Sequence, residues 1–210
     1  MIEPITGIDP ERLRARLAKV RAVTGPDVEI LVASKYVPIE ELGALSEAGV
    51  ELLGENRLGD LEAKRQRHPD AFTWDFIGNL QSRKVRDVLS LVRLIHSVGS
   101  DSVIGQLGKH GNDSTEVLIQ VNVAGEEGKG GFAPDDLGAV LERCPVRVAG
   151  LSTMPPFVAD PEESRPHFAR LAELALEHGL ARISMGTSQD WRVAVEEGAT
   201  TIRLGGVLLG

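Results

Sequence analysis

Cysteine is nearly absent. Cys144 stands alone in 210 residues, so no internal disulfide can form, and the chain suits a reducing compartment. Preceded by a helical pattern and followed by Pro145, it reads as a packing residue rather than a nucleophile. Basic charge is also scarce. Against 31 Asp and Glu there are 23 Lys and Arg, and the formal charge of −8 argues against a phosphate-backbone partner. The one dense basic stretch, Lys64 to His68, follows Glu62 on a predicted helix and reads as a solvated face. No apolar run nears the ~20 residues of a membrane span. The opening MIEPITGIDPERL puts acidic residues and prolines where a leader needs basic and then apolar segments. A soluble, cytoplasmic protein without membrane or nucleic-acid partners is expected.

Two further absences narrow the chemistry. The histidines, His68, His96, His110, His167 and His178, show no zinc-like pairing, and no metal is expected; His96, within a predicted strand, reads as a hydrogen-bonded core residue. GEEGKGG, from Gly125 to Gly131, places two residues rather than four between its glycine and GK, and glycine follows where a phosphate-binding loop needs Ser or Thr. It reads as a mobile loop, with Glu126 and Glu127 solvated.

What is present is a regular alternation. Asp9-Pro10-Glu11 supplies an N-cap, a proline at the first helical position and an acidic first turn. Leu13, Leu17, Val20 and Val23 then recur at helical spacing until Gly25-Pro26. Short apolar runs follow at 29–35, 50–56, 72–78, 94–97, 116–123, 146–154, 181–185 and 201–204. Between them lie helical patterns, among them 38–48, 80–91, 134–143 and 161–178, with Ser100-Asp101 capping another that ends at Gly111. Such runs suit parallel strands covered on both faces. Eight strand–helix units predict a (β/α)8 TIM barrel, a single α/β domain over 1–210 with one extra N-terminal helix. An open doubly wound sheet is the alternative that periodicity leaves standing.

In a barrel, chemistry collects where strands end at their C-terminal side. There the sequence places Lys35 after LVAS on the first strand and Arg203 on the last, neighbours once the barrel closes. Short Gly/Ser loops, Ser184 to Ser188 and Leu204 to Gly206, follow strands seven and eight, where barrels commonly hold phosphate. Glycine lets backbone N–H groups approach an anion. An amine, a phosphate cradle and a strong cation together suit a phosphorylated aldehyde. Pyridoxal phosphate is the leading candidate, its aldehyde taking a lysine and its ring nitrogen an Asp or Arg. A barrel aldolase using the amine on a sugar phosphate would leave Arg203 without a role.

The same blocks carry a family likeness: LVASK, GEN at Gly54 to Asn56, WDFIGNLQSRK at Trp74 to Lys84, and IHSV at Ile95 to Val98. They continue with QVNVAGEEGKGG at Gln120 to Gly131, GLSTMPP at Gly150 to Pro156, SMGTSQD at Ser184 to Asp190 and IRLGGVLLG at Ile202 to Gly210. The chain resembles the pyridoxal-phosphate homeostasis protein family, single-domain barrels similar to the N-terminal half of alanine racemase. The resemblance implies a fold-type III barrel in which Lys35 carries pyridoxal 5'-phosphate as an internal aldimine and Arg203 faces the pyridine nitrogen. It further implies Ser184, Gly186, Gly205 and Gly206 around the phosphate, Asn56 beside the cofactor and Met154 in the ring pocket. Departures are Asp75 and Asn79 where the family often has His, Arg57 where it has Tyr, and Gly206 where it has Thr. The last removes a hydroxyl contact to phosphate.

A guanidinium carries donors and no acceptor, so at the ring nitrogen it disfavours protonation and weakens the ring as an electron sink. Alanine racemase, as the resemblance implies, draws one of its two bases, a tyrosine, from a second domain. Here the only tyrosine is Tyr36; on a strand it would point away from the mouth that Lys35 enters. The expectation is therefore binding and intracellular delivery of the cofactor, with apo-enzymes as partners and a monomer or weak homodimer, rather than efficient turnover. A racemase or related amino-acid enzyme is the alternative.

Overall fold

The computed structural model describes residues 3–210. Helix α1 (Pro10–Thr24) starts as its sequence predicts: the Asp9 carboxylate accepts from the N–H groups of Glu11 and Arg12, and Gly25, at φ 69°, ends it. Then come β1 (Glu29–Ala33), α2 (Leu42–Glu47), β2 (Leu52–Glu55), α3 (Leu58–Arg67), β3 (Thr73–Phe76) and α4 (Val85–Leu89). The second half holds β4 (Leu94–Val98), α5 (Asp101–His110), β5 (Glu116–Gln120), α6 (Leu137–Arg143), β6 (Arg147–Ser152) and α7 (Arg165–Glu177). The chain finishes with β7 (Arg182–Ser184), α8 (Trp191–Glu196), β8 (Thr201–Leu204) and the short α9 (Gly206–Leu209).

The strands form a closed parallel barrel in sequence order. β8 returns to β1 with Glu29 opposite Thr201 and Val32 opposite Leu204, which excludes the open sheet. Six strands are shorter than the apolar runs that predict them, while β8 matches its run and β4 exceeds its own by one residue. Several helices also open through a 3-10 turn, at Ile39–Glu41, Ser82–Lys84, Pro134–Asp136 and Pro161–Ser164. Ser100 precedes α5, yet its side chain makes no capping bond; its hydroxyl lies 3.1 Å from that of Ser102.

Strand alternation divides the barrel into two environments. Outward residues such as Val32, Leu53, Phe76, Ile119 and Leu204 join Leu45, Leu61, Leu137, Phe168 and Ala194 of the helices in one buried cluster. Fully burying a leucine or phenylalanine there contributes about 1.5–3 kcal/mol. The inward positions include Leu31, Leu94 and Leu118, all buried, but also Glu29, Asp75, His96, Ser184 and Arg203. Asp75, His96, Ser184 and Arg203 are buried too. The barrel interior is thus a polar column walled by apolar rungs, not the uniformly apolar stack that short hydrophobic runs suggest.

Candidate functional site

At the C-terminal ends of the strands the barrel opens into a cavity of about 420 Å³. Its apolar wall includes Ala33, Ile77, Met154 and Phe157, and its polar edge Thr187, Ser188 and Gln189. Of the eight site residues expected from sequence, Lys35, Asn56, Met154, Arg203, Gly205 and Gly206 line it. Ser184 and Gly186 do not.

Lys35 lies in a turn, because β1 ends at Ala33 and Val37 N–H closes onto the Ser34 carbonyl at 2.9 Å. The turn changes the expected geometry. Rather than opposing one another across a strand, Lys35 and Tyr36 touch, with Nζ 4.7 Å from the Tyr36 ring centroid. Asn56 follows β2, and its Oδ1 is buried without a hydrogen-bond partner. The backbone there is closely covered. A Cβ on Gly78 would stand 2.1 Å from the Asn56 carbonyl oxygen, so that position requires glycine.

Arg203 is buried and held by neutral acceptors: Nη1 donates to the Ser184 carbonyl at 2.8 Å and to Ser184 Oγ at 2.7 Å, and Nη2 to the Thr153 carbonyl at 2.8 Å. Nη2 also approaches Met154 Sδ at 3.0 Å. Burial pushes its pKa down to about 10, with the charge of Asp190 opposing the fall. The guanidinium therefore remains charged at neutral pH beneath the cavity.

Ser184 bonds within the barrel rather than at the cavity. It sits at inward strand parity with its hydroxyl in the barrel interior, 2.8 Å from His96 Nδ1. His96 Nε2 lies 3.0 Å from Asp75 Oδ2, and Arg93 pairs with both Asp75 oxygens at 3.1 and 2.7 Å. With Asp75 ionised and His96 neutral, Nε2–H donates to Asp75 and Nδ1 accepts from Ser184, so the donors run one way from Arg203 to Asp75. Burial, followed by the charges of Arg203 and Arg93, holds His96 below the usual imidazole range against the pull of Asp75. Burial opposes ionisation of Asp75, but hydrogen bonds from His96 and Arg93 prevail and hold it below the usual carboxylate range. Asp75, a departure from the family pattern, is thus the anion that fixes the histidine.

Gly186 is displaced from the cavity by its own turn. At φ 85° a Cβ would lie 2.5 Å from the Ala194 Cβ and 3.0 Å from the Trp191 Cα, so the loop is pressed against α8. The two following residues reach the site instead. Asp190 pins Thr187 by accepting from its N–H at 2.7 Å and its hydroxyl at 3.1 Å. Ser188 Oγ accepts from the N–H groups of Gly205 and Val207 at 3.1 and 3.3 Å. Thr-Ser ahead of an Asp N-cap was the signal available for these two. Gly206, expected in a loop, is the first residue of α9.

Lys64 also departs from expectation. It is buried, not solvated, and its Nζ lies 2.5 Å from Glu55 Oε1, whose side chain is fully buried. Glu126 meets Lys129 within the loop after β5 at 2.5 Å. Cys144 packs against the core cluster, and burial raises its thiol pKa. Among the described residues no helix is long and apolar enough to cross a membrane.

The family of the alanine racemase N-terminal domain matches residues 8–210. The pyridoxal phosphate homeostasis protein of Aquifex aeolicus is 39% identical over 212 residues, spanning 94% of this chain and 93% of that protein. The chain belongs to the pyridoxal phosphate homeostasis protein family. Its counterpart in Pseudomonas aeruginosa is 34% identical, over 95% of this chain and 92% of the relative. PipY of Synechococcus elongatus, solved with PLP bound, superposes with a TM-score of 0.79 at 30% identity, covering 94% of this chain and all of PipY. Alanine racemase of Corynebacterium glutamicum shares the barrel alone, at TM-score 0.75 and 14% identity, with 60% of its length covered. The family's barrel is what this chain builds.

Proposed function

We propose that this chain binds pyridoxal 5'-phosphate through the Lys35 amine and delivers it within the cell to other proteins, without efficient turnover of a substrate. The residues present fit the group. Ala33, Ile77 and Met154 suit the ring, and Asn56 Oδ1 is an orphaned buried acceptor awaiting a donor. The Gly205 and Val207 N–H groups, now satisfied only by Ser188 Oγ, are donors suited to phosphate oxygens. When bound, the cofactor supplies an aldehyde and an electron-accepting ring. The chain's own residues supply attachment at Lys35, a fixed cation at Arg203 and an apolar wall. Thr187 and Ser188, with Gly205 and Gly206, take the phosphate role in this reading; Ser184 acts behind Arg203.

The observation that carries the non-catalytic half is the cavity lining. Among the described residues, Lys35 is its sole ionisable side chain apart from Arg203. Racemisation needs a proton removed on one face and returned on the other, and the lone tyrosine stands beside Lys35 rather than across from it. The test is to incubate loaded protein with an apo-enzyme that requires the cofactor and, separately, with each amino acid. The reading predicts reactivation of the apo-enzyme and no inversion, amine loss or decarboxylation. Rapid conversion of any amino acid would overturn it in favour of a racemase-like enzyme.

A further inference from the structure

The buried ion pair behind the site has no part in the binding just described, and its contacts are unusual. Lys64 comes from α3, whose neighbouring residues are mostly polar, and reaches inward to the outer side of the barrel wall. Its Nζ donates to the Ser34 carbonyl at 2.6 Å and to Glu55 Oε1 at 2.5 Å. Ser34 Oγ also donates to Glu55 Oε1 at 3.0 Å, and Glu55 Oε2 accepts from the Asn56 N–H at 2.8 Å. Ser34 immediately precedes Lys35, and Glu55 immediately precedes Asn56. One ammonium–carboxylate pair therefore grips the ends of two adjacent strands, β1 and β2, next to the reactive amine and next to the orphaned amide oxygen.

Such a pair is a poor device for stability alone. Desolvating two charges is costly, and apolar residues of similar volume often serve a fold as well or better. A continuous hydrogen-bonded cluster does something apolar packing cannot: it fixes the rotation of the peptides it binds. The Ser34 carbonyl is also the acceptor for Val37 N–H, so Lys64 and the turn that presents Lys35 share one oxygen. On the outer side, Lys35 and Lys64 line a second cavity of about 340 Å³ together with Tyr36 and Asp60. Lys35 borders both cavities, so the orientation of the peptide before it bears on which one the amine enters.

We propose that Glu55 and Lys64 are positioning residues, holding the Lys35 turn and Asn56 as one unit so that the amine is directed into the barrel mouth. The inference rests on the cofactor reading for its consequence, but not for its geometry. A double variant, Glu55→Leu with Lys64→Met, replaces the pair by apolar side chains. It is expected to keep a thermal midpoint near that of the parent. In the absence of added ligand, amide hydrogen exchange should accelerate at Val37 and Asn56 and stay unchanged in α7 and β5. With added pyridoxal 5'-phosphate, borohydride-trapped attachment at Lys35 should slow on the order of 10-fold to 100-fold, the scale of an ångström's misplacement. Lys64→Arg, which keeps the charge and a donor, should restore most of that rate.

Should the double variant fail to fold, Glu55→Gln decides the matter. Its amide has one acceptor oxygen for Lys64, Ser34 and Asn56 N–H, so local exchange and attachment should again change. Parent-like exchange at Val37 and Asn56 together with parent-like attachment, in any folded variant, would overturn the proposal. If the parent itself takes no cofactor at Lys35, the functional reading fails, while the exchange comparison still decides the positioning.

Discussion

Ser184→Ala separates two accounts of one residue. As a phosphate contact, Ser184 would be expendable in the unloaded protein and needed only for binding. As built, its hydroxyl joins Arg203 Nη1 at 2.7 Å to His96 Nδ1 at 2.8 Å inside the barrel. Removing it leaves a buried imidazole nitrogen without a donor, a loss of about 1–3 kcal/mol, and removes one hydrogen bond from a charged guanidinium, about 1.5–3 kcal/mol. The Ser184 carbonyl still accepts from Arg203 at 2.8 Å, so the second loss is partial. A net cost near 3 kcal/mol follows, and in a chain of this size each kcal/mol moves the thermal midpoint by about 2–4 °C. Thermal unfolding of the ligand-free variant should therefore show a fall of roughly 6–12 °C. A midpoint within about 2 °C of the parent, with cofactor affinity lost, would refute the buried-chain account and return Ser184 to the phosphate.

Acid should weaken the fold earlier than carboxylates alone would. The His96 pKa is lowered in the folded protein, so below about pH 6.5 the unfolded chain takes up a proton that the folded chain refuses, and stability falls with pH by up to ~1.4 kcal/mol per unit for this group. Asp75, lowered by hydrogen bonds from His96 and Arg93, and Glu29, lowered by Arg93 and Arg182, both against the opposing effect of burial, add a further loss as pH falls below about 4. A midpoint flat from pH 7 to 5 would contradict this. Gly206→Thr should tighten cofactor binding, because nothing lies within 4 Å of an added Cβ and one hydroxyl bond to a charged group of about 1.5 kcal/mol is worth roughly 10-fold; spectral titration with unchanged or weaker affinity would count against the phosphate assignment. Tyr36→Leu removes the aromatic face on which Lys35 rests. Attachment should then quicken by about 2-fold to 5-fold, the equivalent of an exposed cation–π contact, and a slower rate would show that Tyr36 assists the lysine.

The barrel was legible because its strands must be buried on the helix side, which forces apolar runs, and because helices must break between them, which forces Gly and Pro. Lys35 and Arg203 were legible because charge at the end of such a run is costly without a purpose. Of the polar column, only His96 was legible, as a hydrogen-bonded core residue. Asp75, His96 and Arg93 sit at inward parity on or beside apolar strands, and nothing in a window of neighbours reveals that they meet. Lys64 misled for the same reason: its partner Glu55 lies nine positions earlier on another element, outside the reach of helical periodicity. Ser184, expected beside the phosphate, bonds His96 and Arg203 inside the barrel. The predicted strand 181–185 already contained Ser184, as β7 does, and its parity with Arg203 on the neighbouring strand puts its hydroxyl inside the barrel. The turn at Lys35 depends on Ser34 and Val37 closing on one another, a backbone event that side-chain pattern does not encode.

The central claim is covalent capture at one amine, and it is tested by saturating the protein with pyridoxal 5'-phosphate, removing excess, recording the visible spectrum and reducing with borohydride before peptide mapping. The account predicts a yellow protein whose colour is bleached by reduction, with the phosphopyridoxyl group on the peptide containing Lys35 and absent from Lys35→Ala. A colourless protein, or label distributed over surface lysines with Lys35 unmodified, would contradict it.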